Sequence, residues 1–466
     1  MNRLLVVGSG MAATRLVEEL VARSTGWHVT VLGDEPHPPY NRILLSAVLE
    51  GSHDADSLTL RTPGWYAERG VDLCLGARVL EIDRERREAV LVDGTRIAYD
   101  ALVLATGSIP TLPPIRGLVR VDGRLHEKVH AFRSLDDGTR LLRAMPAAHN
   151  AVVVGGGLLG LQVARALSVR GLATEVVEGG DHLLRSQVGS EAGAIIARDL
   201  RRLGTTVYTG ARAVRLTDEG LRLDNGYTLE TDLVVLTAGG RPSTALARRA
   251  GLDVRRGVVV DDRLCTSDPR IHAIGDCAQH GRQVTGFVPP AWEQAGLLAR
   301  TLAGEDVTYT GSRNVARLRA TDLDVAVLGD PERTEGDVVA VSNPVVGSHR
   351  KLVVRAGVIV AASLVGDLSR IGLITQHYDR RTVLSSTEPG VLLMGDPPAL
   401  PAQLPDEAEV CACAGVSAGR IRACSSLEQV RDTTRATTGC GGCAPAVRQL
   451  LAQRPSLGPT LEGIPT

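Results

Sequence analysis

Two stretches of this chain repeat one local grammar. Residues 3–20 read RLLVVGSGMAATRLVEEL, and residues 151–167 read AVVVGGGLLGLQVARAL. Each opens on four or five aliphatics, as a strand buried on both faces does, and passes through a glycine turn into a helix-like stretch. A second strand follows each, at 28–32 and 173–177, and each ends in acid, Asp34-Glu35 and Glu178. This order predicts an α/β chain with two parallel-sheet modules.

The turns read Gly8-x-Gly10-x-x-Ala13 and Gly155-x-Gly157-x-x-Gly160. The first glycine permits a tight turn, the second lets backbone approach a pyrophosphate, and the third position must be small for the helix to pack on the strand. The helix N-terminus then offers free N–H groups to the phosphates. Glu35 lies 27 residues after Gly8 and Glu178 lies 23 after Gly155, so either carboxylate could accept ribose hydroxyls. One such loop is a turn found in many α/β proteins. Two suggest two different dinucleotides, with hydride transfer from nicotinamide to flavin as the chemistry between them. At Glu178 a carboxylate favours a free 2′-hydroxyl, and Gly179, Gly180 and Asp181 follow it with no arginine among them, so NADH is expected over NADPH.

At 466 residues the chain predicts about three domains. Its 52 Lys+Arg and 53 Asp+Glu leave a net charge of −1, which removes the basic excess a general nucleic-acid binder needs. The longest run without a polar side chain, residues 151–161, is 11 long and holds four glycines, against about 20 for a membrane span. Only two of the basic residues are lysine, Lys128 and Lys351, a bias so global that it reflects base composition rather than a phosphate site. The N-terminal aliphatics run straight into Gly8, which suits a strand entering a nucleotide loop better than a secretory leader. The expected compartment is the cytoplasm, with reduced thiols.

Further strand-like runs at 101–105 and 233–237 close on small-residue turns, Thr106-Gly107-Ser108 and Ala238-Gly239-Gly240. A β-rich block fills 314–394. Residues 395–405 then hold four prolines, an extended linker, and a cysteine-rich segment follows; the tail from Pro455 is rich in Pro and Gly.

The order of motifs resembles the two-dinucleotide flavoprotein reductases. The stretch TSDPRIHAIGDCA, residues 266–278, is similar to that family's second FAD motif, and the resemblance implies that Asp276 binds the ribitol. Thr106-Gly107 and Gly240 resemble its domain-crossing turns. Glu35-Pro36-x-x-x-Tyr40-Asn41-Arg42-Ile43-Leu44-Leu45-Ser46 resembles more narrowly the reductase part of the assimilatory nitrite reductase large subunit and the electron-transfer subunits of assimilatory nitrate reductase. The resemblance implies Arg42 against the FAD phosphates and Trp292, in Pro290-Ala291-Trp292-Glu293-Gln294-Ala295, beside the isoalloxazine; a surface arginine and a core tryptophan are the plainer readings. It also implies an FAD domain from 1–112 and 236–310, an inserted NAD domain at 113–235, an α+β interface domain at 311–395, a Pro-rich linker at 396–409 and a small helical domain at 410–454. Residues 40–50 hold no cysteine pair of the disulfide-reductase kind, so electrons leaving a flavin need another exit.

Five of the eight cysteines fall in the last 56 residues. Cys411-x-Cys413 and Cys440-x-x-Cys443, with 26 residues between, offer the four thiolates of a [2Fe–2S] cluster; zinc and free thiols are the alternatives. The arrangement resembles the bacterioferritin-associated-ferredoxin-like [2Fe–2S] domain. Short helices suit 416–421 and 427–430. Cys424 reads as a small buried residue, and Cys74, Cys265 and Cys277 as buried structural thiols.

A flavin placed between a two-electron donor and a one-electron cluster makes the expected activity NADH-dependent electron transfer. No side chain is needed as acid or base for the hydride step. No later cysteine follows to hold a [4Fe–4S]–sirohaem centre, so the acceptor is expected to be a separate protein, assimilatory nitrate reductase first and a nitrite reductase component second. A flavoprotein subunit of an amine- or opine-type dehydrogenase, and a non-enzymatic iron–sulfur redox sensor or iron-handling partner, are the competing readings.

Overall fold

The computed structural model describes residues 2–312, 315–320, 322–394, 404–411, 414–439 and 441–452. The chain divides into two compact units, Met1–Asp396 and Pro397–Thr466.

The repeated grammar of the sequence becomes two five-stranded parallel sheets in the first unit. In one, the spatial order is Ile271–Ala273, Ala101–Leu104, Asn2–Val7, Trp27–Leu32, Asp72–Cys74. In the other it is Thr205–Thr209, Ala173–Glu178, Asn150–Val154, Leu233–Leu236, Val129–Ala131. The central strands Asn2–Val7 and Asn150–Val154 have neighbours on both edges and buried residues on both faces, which their unbroken aliphatic runs require. Helices Met11–Ala22 and Leu158–Val169 follow directly, as the glycine turns predict.

The repetition goes further than the glycine loops. Each module also carries a three-stranded antiparallel meander, one built from Val79–Asp83, Glu88–Leu91 and Arg96–Ala98, the other from Ala213–Thr217, Gly220–Leu223 and Thr228–Leu229. In each case the chain then enters the next strand of its parallel sheet, Ala101–Leu104 or Leu233–Leu236.

The second sheet is inserted into the first. The chain leaves through Ser108–Pro110, builds the second module, and returns through Gly240–Pro242 to supply Ile271–Ala273 to the first sheet. The outgoing and returning segments pair antiparallel, Ile109 opposite Arg241.

Beyond helix Val288–Leu302 lies a five-stranded antiparallel sheet, in the order Val315–Ala320, Leu323–Leu328, Val358–Val365, Ser348–Arg355, Asp337–Asn343. Its inner face shares one core with the second module: Leu318, Val325 and Val365 pack with Leu161, Ala164 and Ile196, and with Leu45 and Leu49 from the segment after the first module's second strand.

The second unit is small. Strand Glu409–Cys411 pairs with Val416–Ser417, and helices Ala418–Arg422, Leu427–Thr434 and Ala444–Ala452 enclose Val416, Ile421, Val430, Ala436, Val447 and Leu450. The last residues of the expected linker belong to this hydrogen-bonded body. Ala418 N–H donates to Ala408 O at 2.8 Å, and Gly419 N–H to Asp406 O at 2.9 Å. Residues 396–403 of that linker lie outside the described residues.

Candidate functional site

At the first glycine loop, Gly8 N–H donates to Leu32 O at 2.8 Å, and the turn carries φ +112° at Gly8. A β-carbon there would fall 2.2 Å from Ala105 O. At Gly10 no atom lies within 4 Å of the equivalent position, so a concavity opens before the helix. No side chain caps that N-terminus, which leaves its amides for a ligand. Ala13 is buried against the sheet.

The second loop repeats the geometry. Gly155 N–H donates to Val177 O at 2.9 Å, with φ +119° and a β-carbon position 2.7 Å from Thr237 O. Gly157 faces open space, and a β-carbon at Gly160 would stand 1.9 Å from Gly155 O. Third-position smallness is therefore a steric demand of the helix on its own turn.

The acidic residues part company. Glu178 turns into its loop: Gly156 N–H donates to Oε2 and Gly180 N–H to Oε1, each at 2.7 Å. Arg185 Nε stands 3.8 Å from Oε1, and the Arg212 stem lies 3.1 Å from the β-carbon position of Gly179. Neither arginine adjoins Glu178 in sequence, so reading the next three residues missed both. Glu35 instead accepts from the Tyr40 hydroxyl at 2.6 Å and pairs with Arg42. Arg42 lies 4.9 Å over the Tyr40 ring and donates to Arg133 O at 3.3 Å. Leu135 N–H donates to the Tyr40 hydroxyl at 2.9 Å, and burial holds that hydroxyl's pKa well above the ordinary tyrosine range.

Asp276 sits in the turn Gly275–Cys277 after strand Ile271–Ala273. Its Oδ2 accepts from Ser108 Oγ at 2.9 Å and Arg133 Nη2 at 2.8 Å. The β-carbon position of Gly275 lies 3.1 Å from Ala12 Cβ, so this turn borders the first glycine loop. Thr106 Oγ1 donates to Ser243 O at 2.9 Å, while Gly107 adopts φ +65° beside open space. Gly240 lies in the returning strand, its β-carbon position 3.4 Å from Ser108 Oγ. Trp292 is buried, its Nε1 has no partner among the described residues, and the Arg15 guanidinium stands 6.0 Å from its ring. On the same helix, buried Gln294 accepts from Gly275 N–H at 2.8 Å.

Arg133 and Gln294 are functional candidates that sequence reasoning passed over. Arg133 precedes a capping box, Ser134 with Asp137, which is the one local feature that marks its place. These placements fit an FAD and a nicotinamide dinucleotide. Two uncapped helix N-termini open onto space lined by Gly10 and Gly157, and carboxylates stand within each module.

In the terminal domain, Cys411 and Cys443 are buried and hydrogen-bonded to each other. Thr437 N–H donates to Cys443 Sγ at 3.2 Å. The bond between the two thiols, and burial after it, push the Cys411 thiol upward. Cys413 and Cys440 lie outside the described residues. The soft donors present fit an iron–sulfur cluster. Cys424 is buried but turned to Thr433 Oγ1 at 3.3 Å. Cys277 is fully buried, its thiol directed at Ile274 O. Cys74 and Cys265 depart from expectation, being only half-buried. Cys74 ends an edge strand, and Cys265 occupies a turn whose acids, after burial, push its thiol to about 11.

Residues 2–295 match the pyridine nucleotide-disulphide oxidoreductase model, and residues 409–453 match the BFD-like [2Fe-2S] binding domain. The chain belongs to the pyridine nucleotide-disulphide oxidoreductase family. It is an NAD(P)H-dependent flavoprotein oxidoreductase whose cofactors are FAD, a nicotinamide dinucleotide and a [2Fe–2S] cluster. It is 35% identical to a nitrite reductase [NAD(P)H] of Bacillus subtilis, across 97% of this chain and 57% of that protein. It is 30% identical to the assimilatory nitrate reductase electron transfer subunit of the same organism, across 97% and 59% respectively. The chain thus spans a little over half the length of these relatives. The covalent putidaredoxin reductase–putidaredoxin complex aligns with TM-score 0.77 at 27% identity, covering 85% of this chain and 96% of that one. Among the described residues no helix is long and apolar enough to cross a membrane.

Proposed function

We propose that this chain draws electrons from NADH and delivers them singly, through the terminal [2Fe–2S] cluster, to a catalytic component of nitrate or nitrite assimilation. The observation that carries the proposal is the nesting of one dinucleotide module inside the other, joined by the paired strands Ser108–Pro110 and Gly240–Pro242. The likeness to an assimilatory nitrate reductase electron transfer subunit and to nitrite reductases supports the choice of acceptor.

Bound flavin supplies the chemistry that neither other cofactor has, turning the electron pair of a hydride into single electrons. The chain's own work is binding and orientation. On this reading Gly8, Gly10 and Ala13 shape the FAD pyrophosphate site, with Glu35, Arg42, Thr106, Gly107 and Asp276 around it, and Trp292 covers the ring. Gly155, Gly157, Gly160 and Gly240 shape the nicotinamide side, and Glu178 accepts the ribose hydroxyls, which selects NADH. Arg133 fixes the Asp276 carboxylate. Cys411, Cys413, Cys440 and Cys443 hold the cluster. The domain limits follow the sequence reading, except that the cluster domain begins by about residue 404, where its hydrogen bonds begin. A reducing cytoplasm suits these thiols.

The test is anaerobic titration of the holo chain with NADH, followed by addition of a molybdenum nitrate reductase component. Loss of flavin absorbance, appearance of the reduced-cluster EPR signal and nitrate-dependent reoxidation are expected. Bleaching by an amine or amino-acid substrate and not by NADH would overturn the proposal in favour of a dehydrogenase subunit.

A further inference from the structure

Helix Leu427–Thr434 ends at Arg435, which adopts φ +65°, and two residues later Thr437 adopts φ +71°. A β-branched residue in the left-handed region is costly and persists only where its surroundings hold it. Thr437 is buried, and two contacts fix it. Its backbone N–H donates to Cys443 Sγ at 3.2 Å and also faces the Cys411 thiol. Its side-chain Oγ1 accepts from Arg431 Nε at 3.2 Å. The neighbouring turn is separately secured: Ala436 N–H donates to Thr434 Oγ1 at 3.2 Å, and Thr438 Oγ1 donates to Arg435 O at 2.9 Å. Glycine would hold the same φ without strain.

We propose that Arg431 is a positioning residue for the cluster: by clamping Thr437 Oγ1 it holds that residue in its strained conformation, with the Thr437 amide aimed at the Cys443 sulfur. An N–H donor on a ligand sulfur stabilises the reduced, more negative cluster and so raises its potential. Arg431 acts through Thr437 rather than by direct charge, and this makes the two residues' effects interdependent. The inference rests on Cys411 and Cys443 being cluster ligands. If they are not, replacing either by Ser leaves the wild-type [2Fe–2S] signal intact, a result separate from those that follow.

The experiment is an EPR-monitored redox titration of the full holo chain as wild type, Arg431→Met, Thr437→Gly and the double variant. Methionine keeps the packing of the arginine stem without its donor. A lowered cluster potential in Arg431→Met is expected, with Thr437→Gly close to wild type and the double variant close to Thr437→Gly. If Arg431→Met fails to retain the cluster, rescue of loading by Thr437→Gly supports the proposal, and failure of rescue overturns it. An unchanged potential in Arg431→Met overturns it. So does an equal drop in both backgrounds, which would assign Arg431 a direct electrostatic effect.

Discussion

Glu178 and Glu35 show how one sequence signal divides at the level of single residues. Both acids lie at or just past the end of the second strand of a dinucleotide module, yet only Glu178 folds back onto its glycine loop, through Gly156 and Gly180. Glu35 is drawn away by Tyr40 and Arg42, partners five and seven residues on. On the proposed reading the Glu178 carboxylate repels a 2′-phosphate, so Glu178→Ser is expected to lower the NADH-to-NADPH ratio of kcat/KM by about 10-fold or more; an unchanged ratio would remove Glu178 from cofactor choice. Arg185 and Arg212, which the fold brings beside it, are available to hold a phosphate once the carboxylate is gone. Tyr40 yields a prediction in pH. Its folded-state hydroxyl is raised above the unfolded value, so its contribution is full below about pH 10 and falls as pH rises beyond it. Tyr40→Phe should cost about 1 kcal/mol near neutrality through the lost bond to Glu35, and should flatten the loss of stability between about pH 10 and 12 in urea midpoints.

Among elements, the strand–turn–helix openings were the most legible, because a doubly buried parallel strand and a glycine turn leave strong local patterns. The meanders were not legible. Their exposed positions alternate weakly, as in Val79–Asp83 with Leu80 exposed, and their place in the repeat shows only in the paired sheets. The two glycines of one loop have separable roles. Gly8→Ala must meet Ala105 O and a φ of +112°, so the apoprotein should lose stability by at least about 1–3 kcal/mol in thermal or urea unfolding. Gly10→Ala meets nothing within 4 Å among the described residues, so the apoprotein should unfold like wild type while FAD affinity falls. Equal destabilisation by both would mean that the space at Gly10 is not ligand space. The terminal domain has a core too small to stand easily alone. Iron removal should therefore lower its helical circular dichroism and leave the parallel-sheet unit's melting unchanged; an undiminished helical signal would mean that the core suffices without metal.

For the whole molecule, the order of modules could be read along the chain, because insertion leaves its two crossing turns, Thr106-Gly107 and Gly239-Gly240, at recognisable places. Long-range polar partners could not. Arg133 reaches Asp276 across 143 residues, and no local pattern encodes that distance. The shared core of the antiparallel sheet and the second module was equally hidden, since Leu318 and Val325 meet Leu161 only through tertiary packing. The proposed function assigns one direction to electron flow, from nicotinamide through flavin to the terminal cluster. The most direct test of that order is rapid anaerobic mixing of the Cys440→Ser chain with NADH. Flavin bleaching at about the wild-type rate is expected, with the [2Fe–2S] signal and reduction of an external one-electron acceptor lost. Loss of the bleaching itself would contradict that order.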